Sequence, residues 1–168
     1  MKNLLVYSTL TGNTKKVVEA CYSNLGEEWE LLDINNDINL EKYEKIVLGT
    51  WIDKGTADKK SLDLIKKIEK KKVGFIITLG AYPDSDHAKK CIENINKLFQ
   101  EKNNEVLSYF ICQGAVDPKL IEWMKNLPTE HPHSPNPERI KRWEDASKHP
   151  DESDLKNAKE WFENFINN

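Results

Sequence analysis

Apolar residues occur along this chain in two patterns that alternate from the amino terminus onward. Short apolar runs predict buried strands, since a strand covered on both faces has no polar side, over residues 3–7, 29–34, 45–49, 73–79 and 106–112. Between the runs, apolar residues recur every three or four positions, which predicts helices over residues 14–25, 59–70 and 84–102 and at the end of the chain. Such alternation is typical of a doubly wound α/β fold, so we expect a five-stranded parallel sheet with helices on both faces.

The stretch 115–151, between the last strand and the terminal helix, is far longer than the roughly 2 to 6 residues of a usual connection. Asp117 and Asn136 are favourable helix N-caps, each followed by proline, and they predict short helices over 117–124 and 137–147. We therefore expect an ordered helical insertion. Because it leaves the carboxyl end of a strand, it either shields a ligand or shapes a docking surface there. The alternative is that this segment only packs over the edge of the sheet and has no role at a ligand site.

Composition limits the class of protein and of partner. A chain of 168 residues fits a single domain, residues 1–168, and we expect a monomer. With 32% charged residues, a net charge of −3 and no apolar run near the roughly 20 residues of a membrane span, we expect a cytoplasmic protein with no membrane partner. The lysine-rich run 66–72 contains Glu69, which indicates a solvated helix face rather than a nucleic-acid surface.

Cysteines, histidines and the carboxyl-terminal aromatic residues have structural explanations. The three cysteines lie in apolar segments without CxxC spacing and are expected to be buried, reduced thiols: Cys21, Cys91 and Cys112. His131 and His133 flank a proline and project in different directions, so we expect no metal site. Four aromatic residues on apolar helix faces are expected in the core: Trp123, Trp143, Trp161 and Phe165.

The first strand runs into a helix through a loop of small and hydroxyl-bearing residues, Ser8-Thr9-Leu10-Thr11-Gly12-Asn13-Thr14. Small side chains let backbone N–H groups converge on an anion, hydroxyls donate further hydrogen bonds, and the helix N-terminus adds a favourable dipole. The loop lacks the Gly-Lys-Ser/Thr ending of a nucleotide-binding P-loop, and the chain has no GxGxxG. The pattern therefore favours a monophosphate.

Trp51 and Tyr82 each follow a later strand and offer flat faces for an aromatic ring. The loops 8–14, 50–56 and 80–86 all follow strand carboxyl ends, which meet at one edge of a parallel sheet. Together they predict a site for a phosphorylated planar cofactor. The alternative is that both aromatic residues are ordinary loop residues.

The loop from Ser8 to Thr14 is similar, nearly residue for residue, to the FMN-phosphate loop of the flavodoxins. The run Thr50-Trp51-Ile52-Asp53 is similar to the family's flavin-stacking loop, and the resemblance covers residues 1–112 and the terminal helix. It implies the strand order 2-1-3-4-5, noncovalently bound FMN, and service as a low-potential one-electron carrier rather than an enzyme.

The resemblance also implies roles for individual positions. Those expected to hold the phosphate are Thr9, Thr11, Gly12, Asn13 and Thr14. Trp51 and Tyr82 would flank the isoalloxazine ring, and Gly80 and Ala81 would offer backbone groups to its pyrimidine end. The other positions expected in the cofactor site are Ser8, Leu10, Thr50, Ile52, Asp53 and Gly55.

Two features of the expected cofactor site depart from the family pattern. Many flavodoxins have a glycine directly after the stacking tryptophan, where a peptide turns over on flavin reduction, but here this residue is Ile52. A β-branched residue reaches positive φ at a cost of about 1 kcal/mol or more relative to glycine, so we expect weaker stabilisation of the one-electron-reduced flavin unless Gly55 or another peptide takes this role.

The second departure is that charges of both signs surround the expected flavin, whereas the family usually has acids there. They are Asp53, Asp58, Asp84 and Asp86 against Lys54, Lys59 and Lys60. This mixture predicts a less negative potential. The alternative is a solvated face whose charges are screened.

Several functions remain open. A carrier would take electrons from a reductase and deliver them to an acceptor enzyme; the alternatives are an FMN-dependent oxidoreductase or flavin reductase component, and a flavin-free binding module. A phospho-receiver is disfavoured because Ser8 and Thr9 stand where that chemistry needs acids.

Residues 53–60 and the His-Pro-His segment resemble flavodoxin-like proteins of anaerobic tetrapyrrole breakdown. The acceptor implied is a tetrapyrrole-degrading or a radical S-adenosylmethionine enzyme.

Overall fold

The computed structural model describes residues 1–23 and 25–168 and contains a six-stranded sheet. The strands are β1 (Lys2–Tyr7), β2 (Trp29–Asp33), β3 (Tyr43–Asp53), β4 (Thr56–Ala57), β5 (Lys72–Leu79) and β6 (Glu105–Gln113). The long strands pair in parallel in the order β2-β1-β3-β5-β6, and the two-residue β4 pairs antiparallel with the end of β3. Counted along the five parallel strands, this is the predicted order 2-1-3-4-5, which is confirmed.

The helices lie close to the predicted positions, with two differences in their bounds. They are α1 (Asn13–Tyr22), α2 (Lys59–Ile65), α3 (Asp86–Gln100), α4 (Pro118–Lys125), α5 (Pro137–Ala146) and α6 (Glu152–Ile166), with a 3-10 turn at Leu40–Lys42. The helix predicted over 14–25 ends at Tyr22, and residue 24 lies outside the described residues. The helix predicted over 59–70 was wrong at its carboxyl end, because α2 ends at Ile65 and the chain turns toward β5, with Lys70 at a left-handed φ of 55°.

Both faces of the sheet are covered by helices, as predicted. Successive strand residues point to opposite faces, so Leu4 of β1 packs with Ile95 of α3, and the adjacent Leu5 packs with Phe162 of α6. All four side chains are fully buried. The two faces thus form two apolar layers, and burial of these layers is the main stabilising contribution to the fold.

The 115–151 segment contains α4 and α5, and its two ends are joined to each other by a hydrogen bond from the Ala115 N–H to the His149 carbonyl oxygen (3.0 Å). Met124 and Trp143 are buried, and Trp161 and Phe165 pack against the core as predicted. The prediction for Trp123 was wrong, since this side chain is 52% exposed. Neighbouring helix residues point about 100° apart, so Met124 occupies the inward face and Trp123 lies on the solvent side.

The three cysteines are buried and form no disulfide, as predicted. Burial raises the pKa of Cys21 to about 12 and also raises the pKa of Cys112, so neither is a thiolate at neutral pH. None of the described helices combines the length and the apolar character that a membrane crossing requires.

Candidate functional site

A cavity of about 470 Å³ lies at the carboxyl ends of β1, β3, β5 and β6, where a doubly wound fold binds its ligands. The predicted site residues that line it are Thr9, Leu10, Thr11, Asn13, Thr14, Trp51, Ile52, Gly80, Ala81 and Tyr82. The structure therefore brings the three predicted loops together around one space. Its volume falls within the roughly 300–1,000 Å³ of small-ligand sites.

The first loop presents uncharged donors toward the cavity. The Gly12 N–H donates to Thr9 Oγ1 (3.0 Å), and Gly12 adopts a left-handed φ of 98° that glycine reaches without strain. No side chain caps α1, so the N–H groups of its first turn remain available to an anion. Two lysines of α1 have partners elsewhere: Lys15 pairs with Glu19 (3.8 Å), and Lys16 donates to the Pro150 carbonyl oxygen (3.5 Å).

The far side of this loop is anchored by residues from later in the chain. The Asn13 amide donates to the Ala115 carbonyl oxygen (2.9 Å), and the hydroxyls of Thr14 and Thr78 share a hydrogen bond (2.8 Å). These contacts join the start of α1 to β5 and to the beginning of the 115–151 segment. They hold the donors of the loop in place before any ligand arrives.

Ser8 and Thr50 lie outside the cavity lining and bind a buried carboxylate instead. Asp58, which is 2% exposed, accepts hydrogen bonds from the hydroxyls of Ser8 (2.7 Å) and Thr50 (2.8 Å) and from the Ser61 hydroxyl (2.7 Å) and N–H (3.3 Å). The prediction that Asp58 contributes charge to the cofactor loops was wrong. This side chain caps α2 and connects the ends of β1 and β3.

The segment after Trp51 is a hairpin that the sequence analysis treated as a polar loop. Ile52 pairs with Ala57 and Asp53 with Thr56, and the two residues between them, Lys54 and Gly55, both have positive φ (52° and 81°). These dihedrals are those of a type I′ turn, for which glycine in the second position is the sequence signal.

The hairpin places two predicted site residues away from the cavity. Asp53 and Gly55 do not line it, and the Gly55 carbonyl oxygen accepts a hydrogen bond from Asn94 of α3 (3.2 Å). Ile52 does line the cavity, with its backbone in an extended strand.

Trp51 and Tyr82 lie on the cavity wall, and Tyr82 also contacts α5. The Tyr82 hydroxyl donates to Asp145 Oδ2 (2.7 Å), and this hydrogen bond raises the pKa of Tyr82 and lowers the pKa of Asp145. The Gly80 carbonyl oxygen already accepts a hydrogen bond from the Gln113 amide (3.0 Å). A Cβ at Gly80 would lie 2.5 Å from Val116 Cγ2, so the 115–151 segment can approach this loop only because residue 80 is glycine.

The 115–151 segment contributes part of the lining that sequence analysis did not identify. Its lining residues are Ala115, Val116, Asp117, Leu120, Met124, Arg142 and Trp143, and the earlier chain adds Thr78, Leu79, Ser85, His87 and Gly114. The spacing of Leu120 and Met124 on one face of α4 was the available signal. The segment therefore forms one wall of the site.

Within the described residues, the cluster with potential metal ligands is His149, Asp151 and Asp154, which the sequence analysis did not consider. His149 Nδ1 lies 2.6 Å from Asp154 Oδ2, and the two aspartates form the capping box of α6. Hydrogen bonds within the protein therefore account for this arrangement. The rings of His131 and His133 lie 5.6 Å apart and are tilted by 41° relative to each other.

Comparisons with known proteins agree with this architecture. A flavodoxin domain family model matches residues 4–163. The chain is 33% identical to the flavodoxin-like domain-containing protein BilS of Clostridioides difficile (strain CD3), over 99% of this chain and 97% of the relative.

Solved structures of similar fold include a flavodoxin, a flavoprotein and an azoreductase. Oxidised flavodoxin 2 from Bacillus cereus has a TM-score of 0.64 with 14% identity, covering 99% of each chain. A flavoprotein in complex with FMN from Lactobacillus acidophilus has a TM-score of 0.51 with 17% identity, covering 73% of this chain and 97% of that one. An azoreductase from Bacillus anthracis has a TM-score of 0.60 with 11% identity, covering 96% and 99%. The family model over residues 4–163, together with the relative that is 33% identical over 99% of the chain, shows that this chain belongs to the flavodoxin family.

Proposed function

We propose that the protein is a cytoplasmic, monomeric electron carrier that binds FMN noncovalently in the cavity and passes one electron at a time from a reductase to an acceptor enzyme. The observation that carries the proposal is the position of the uncapped N-terminus of α1 in the same cavity as Trp51 and Tyr82. An anion site and a pair of flat faces at one sheet edge match a planar ring with a phosphorylated tail.

The donors of the first loop suit a phosphate monoester. Hydroxyls of Thr9 and Thr11 and the first N–H groups of α1 supply hydrogen bonds without a lysine or arginine. The side chain of Asn13, the first residue of α1, is fixed by its contact with Ala115. These residues would bind and orient the tail.

The ring would lie between Trp51 and Tyr82, with Ile52 against its edge. Bound FMN supplies reversible one-electron and two-electron chemistry. The rim of the cavity includes exposed apolar side chains, since Leu10 is 60% and Leu120 is 46% exposed, and a partner protein would approach the ring across this rim. The acceptor proposed is a tetrapyrrole-degrading or radical S-adenosylmethionine enzyme, on the resemblance of residues 53–60.

A second candidate is an FMN-dependent oxidoreductase or a flavin reductase component. The observation in its favour is the wall of Leu120, Met124, Arg142 and Trp143, which adds lining beyond the three cofactor loops. The fold shared with azoreductases is compatible with this alternative. A flavin-free binding module is the third.

Titration of the apoprotein with FMN and with riboflavin tests cofactor binding. We expect FMN to bind on the order of 100-fold more tightly, because riboflavin lacks the phosphate and each charge-assisted hydrogen bond contributes about 1.5–3 kcal/mol. Equal affinity for the two flavins would contradict the phosphate assignment, and no binding of either would leave the flavin-free module.

Consumption of NADPH separates the carrier from the enzyme. FMN-loaded carrier should oxidise NADPH no faster than free FMN does, and reduction should begin only when a flavodoxin reductase is added. Turnover of NADPH by the loaded protein alone would favour the oxidoreductase.

A further inference from the structure

Arg142 of α5 lines the cavity and is half-buried. Its neighbours on the helix have partners: Arg139 donates to the Ser134 carbonyl oxygen, and Lys141 pairs with Asp145 at 3.3 Å. Across the part of the chain that the structure describes, neither a salt bridge nor a hydrogen bond is recorded for the Arg142 guanidinium. A guanidinium has five N–H donors and remains charged at all physiological pH values. Within the described residues, the Arg142 guanidinium therefore has no carboxylate at ion-pair distance.

The contacts of α5 place Arg142 on the side of the cavity where the flavin ring would lie. Asp145, one turn of α5 from Lys141, binds the Tyr82 hydroxyl, and this contact brings the carboxyl-terminal part of α5, which includes Arg142, beside the ring-stacking residue. The hydrogen bond to Asp145 raises the pKa of Tyr82, while the charges of Lys141 and Arg142 oppose that rise. Arg142 thus acts on the residue that would flank the ring.

The acids expected to oppose a reduced flavin do not lie in the cavity lining. Asp58 is buried in the network that caps α2, and Asp53, Asp84 and Asp86 are not lining residues. The carboxylate that does line the cavity, Asp117, accepts a hydrogen bond from the Lys119 N–H and caps α4, whose dipole offsets its charge. Arg142 is therefore a permanent positive charge in the lining that no ion pair within the described residues neutralises.

We propose that Arg142 sets the redox preference of the site by stabilising the reduced flavin. The inference rests on the proposed function. Uptake of two electrons and one proton by the neutral oxidised ring leaves one net negative charge on it, whereas the oxidised ring has none. A nearby cation therefore stabilises the reduced form selectively and makes the flavin easier to reduce. The family's usual acids have the opposite effect.

Binding and potential measured on Arg142→Gln test this role. We expect this variant to lower the ratio of the oxidised-state to the reduced-state FMN dissociation constant by about tenfold. An interaction of this size is expected between unit charges roughly 10 Å apart at an effective dielectric constant of about 20. Tenfold corresponds to a two-electron potential about 30 mV more negative. Anaerobic reduction by dithionite with a reference dye measures the potential, and FMN and riboflavin titrations measure the dissociation constants.

Two variants serve as controls. Arg142→Lys keeps the charge and should stay near the wild-type potential. Lys125→Gln, on an exposed residue of α4 outside the cavity lining, makes the same change in net charge and should leave the potential unchanged. Riboflavin should show the same selective loss of reduced-state affinity in Arg142→Gln as FMN does.

Two results would overturn the inference while leaving the proposed function intact. One is an unchanged potential in Arg142→Gln. The other is an equal loss of FMN affinity in both redox states with no effect on riboflavin, which would place the guanidinium on the phosphate. If wild-type apoprotein binds no flavin, the proposed function fails, and this inference fails with it.

Discussion

The two sides of the cavity are held in place by different means. The amino-terminal wall, formed by residues 8–14 and 50–58, is fastened by a buried carboxylate that receives four hydrogen bonds. The insertion wall, formed by α4 and α5, is joined to the ligand loops through contacts nearer the surface, including the one between Tyr82 and Asp145. Buried charge-assisted hydrogen bonds are strong, whereas exposed ones contribute little.

This difference separates two tasks of the site. The amino-terminal wall presents a preorganised set of donors, which reduces the entropy lost when a ligand binds. The insertion wall supplies apolar surface and the Arg142 charge, and it can adjust its position with a smaller penalty. We therefore expect variants of the first wall to affect folding and affinity, and variants of the second to affect redox tuning and access.

The largest effect is expected from removing the carboxylate of the amino-terminal wall. Asp58→Ala leaves three buried hydroxyls without their acceptor and removes the N-cap of α2, and we expect a loss of about 3 kcal/mol in the free energy of unfolding. Urea denaturation of the apoprotein measures it. Asp58→Asn keeps one acceptor oxygen and should lose about half as much. A loss under about 1 kcal/mol in Asp58→Ala would show that the network contributes little.

Sequence patterns predicted the strands of the sheet and the first loop because these depend on local signals, whereas the strand order was implied by the resemblance to the flavodoxins. The apolar runs of β1 and β5 are buried on both faces, and the donors of residues 9–14 are adjacent in the chain. The part of the site that depends on a distant partner could not be predicted. Ser8 and Thr50 look like cofactor-site residues from the sequence, but the fold places Asp58 between them.

The insertion wall shows the same limit. Trp143 and Trp123 both lie on helices with apolar positions, yet one lines the cavity and the other is exposed. Which side of a short helix faces inward is decided by packing against residues far away in sequence. The hairpin after Trp51 was missed for a local reason, since its turn residues Lys54 and Gly55 were not recognised as a type I′ pair. The prediction that Ile52 weakens stabilisation of the one-electron-reduced flavin stays a prediction.

Variants of two glycines separate the contribution of the first loop to FMN binding from the effect of backbone strain on stability. Gly12 and Gly55 both have positive φ, and a Cβ at either would meet no atom within 4 Å. Alanine at each should lower the free energy of unfolding by about 1 kcal/mol, because the left-handed conformation is strained. Only Gly12→Ala should also weaken FMN binding, by about tenfold, since residue 12 is the N-cap of α1 and Gly55 is not.

Thermal unfolding and FMN titration of both glycine variants check this expectation. Equal weakening of FMN binding in Gly55→Ala would show that the hairpin tip contributes to the cofactor site and would contradict its position beside α3.

The smallest effect is expected at the contact that joins the insertion wall to the Tyr82 loop. Tyr82→Phe removes the hydroxyl that donates to Asp145, so amides of α5 should exchange hydrogen several-fold faster while those of α1 stay unchanged. Hydrogen exchange at neutral pH, read by mass spectrometry, measures the difference.

The hydrogen bond between Tyr82 and Asp145 should be lost both in acid and in strong alkali. The pKa of Asp145 is lowered in the folded protein, so its stabilising contribution is present above an ordinary aspartate value of about 3.9 and disappears as pH falls through the lowered pKa. The pKa of Tyr82 is raised, so its contribution is present below about pH 10 and disappears as pH rises through the raised pKa. Wild type and Tyr82→Phe should therefore differ in α5 exchange at neutral pH and converge in acid and in strong alkali. A difference that persisted in acid would mean that ring packing, rather than the hydrogen bond, holds α5 against this loop.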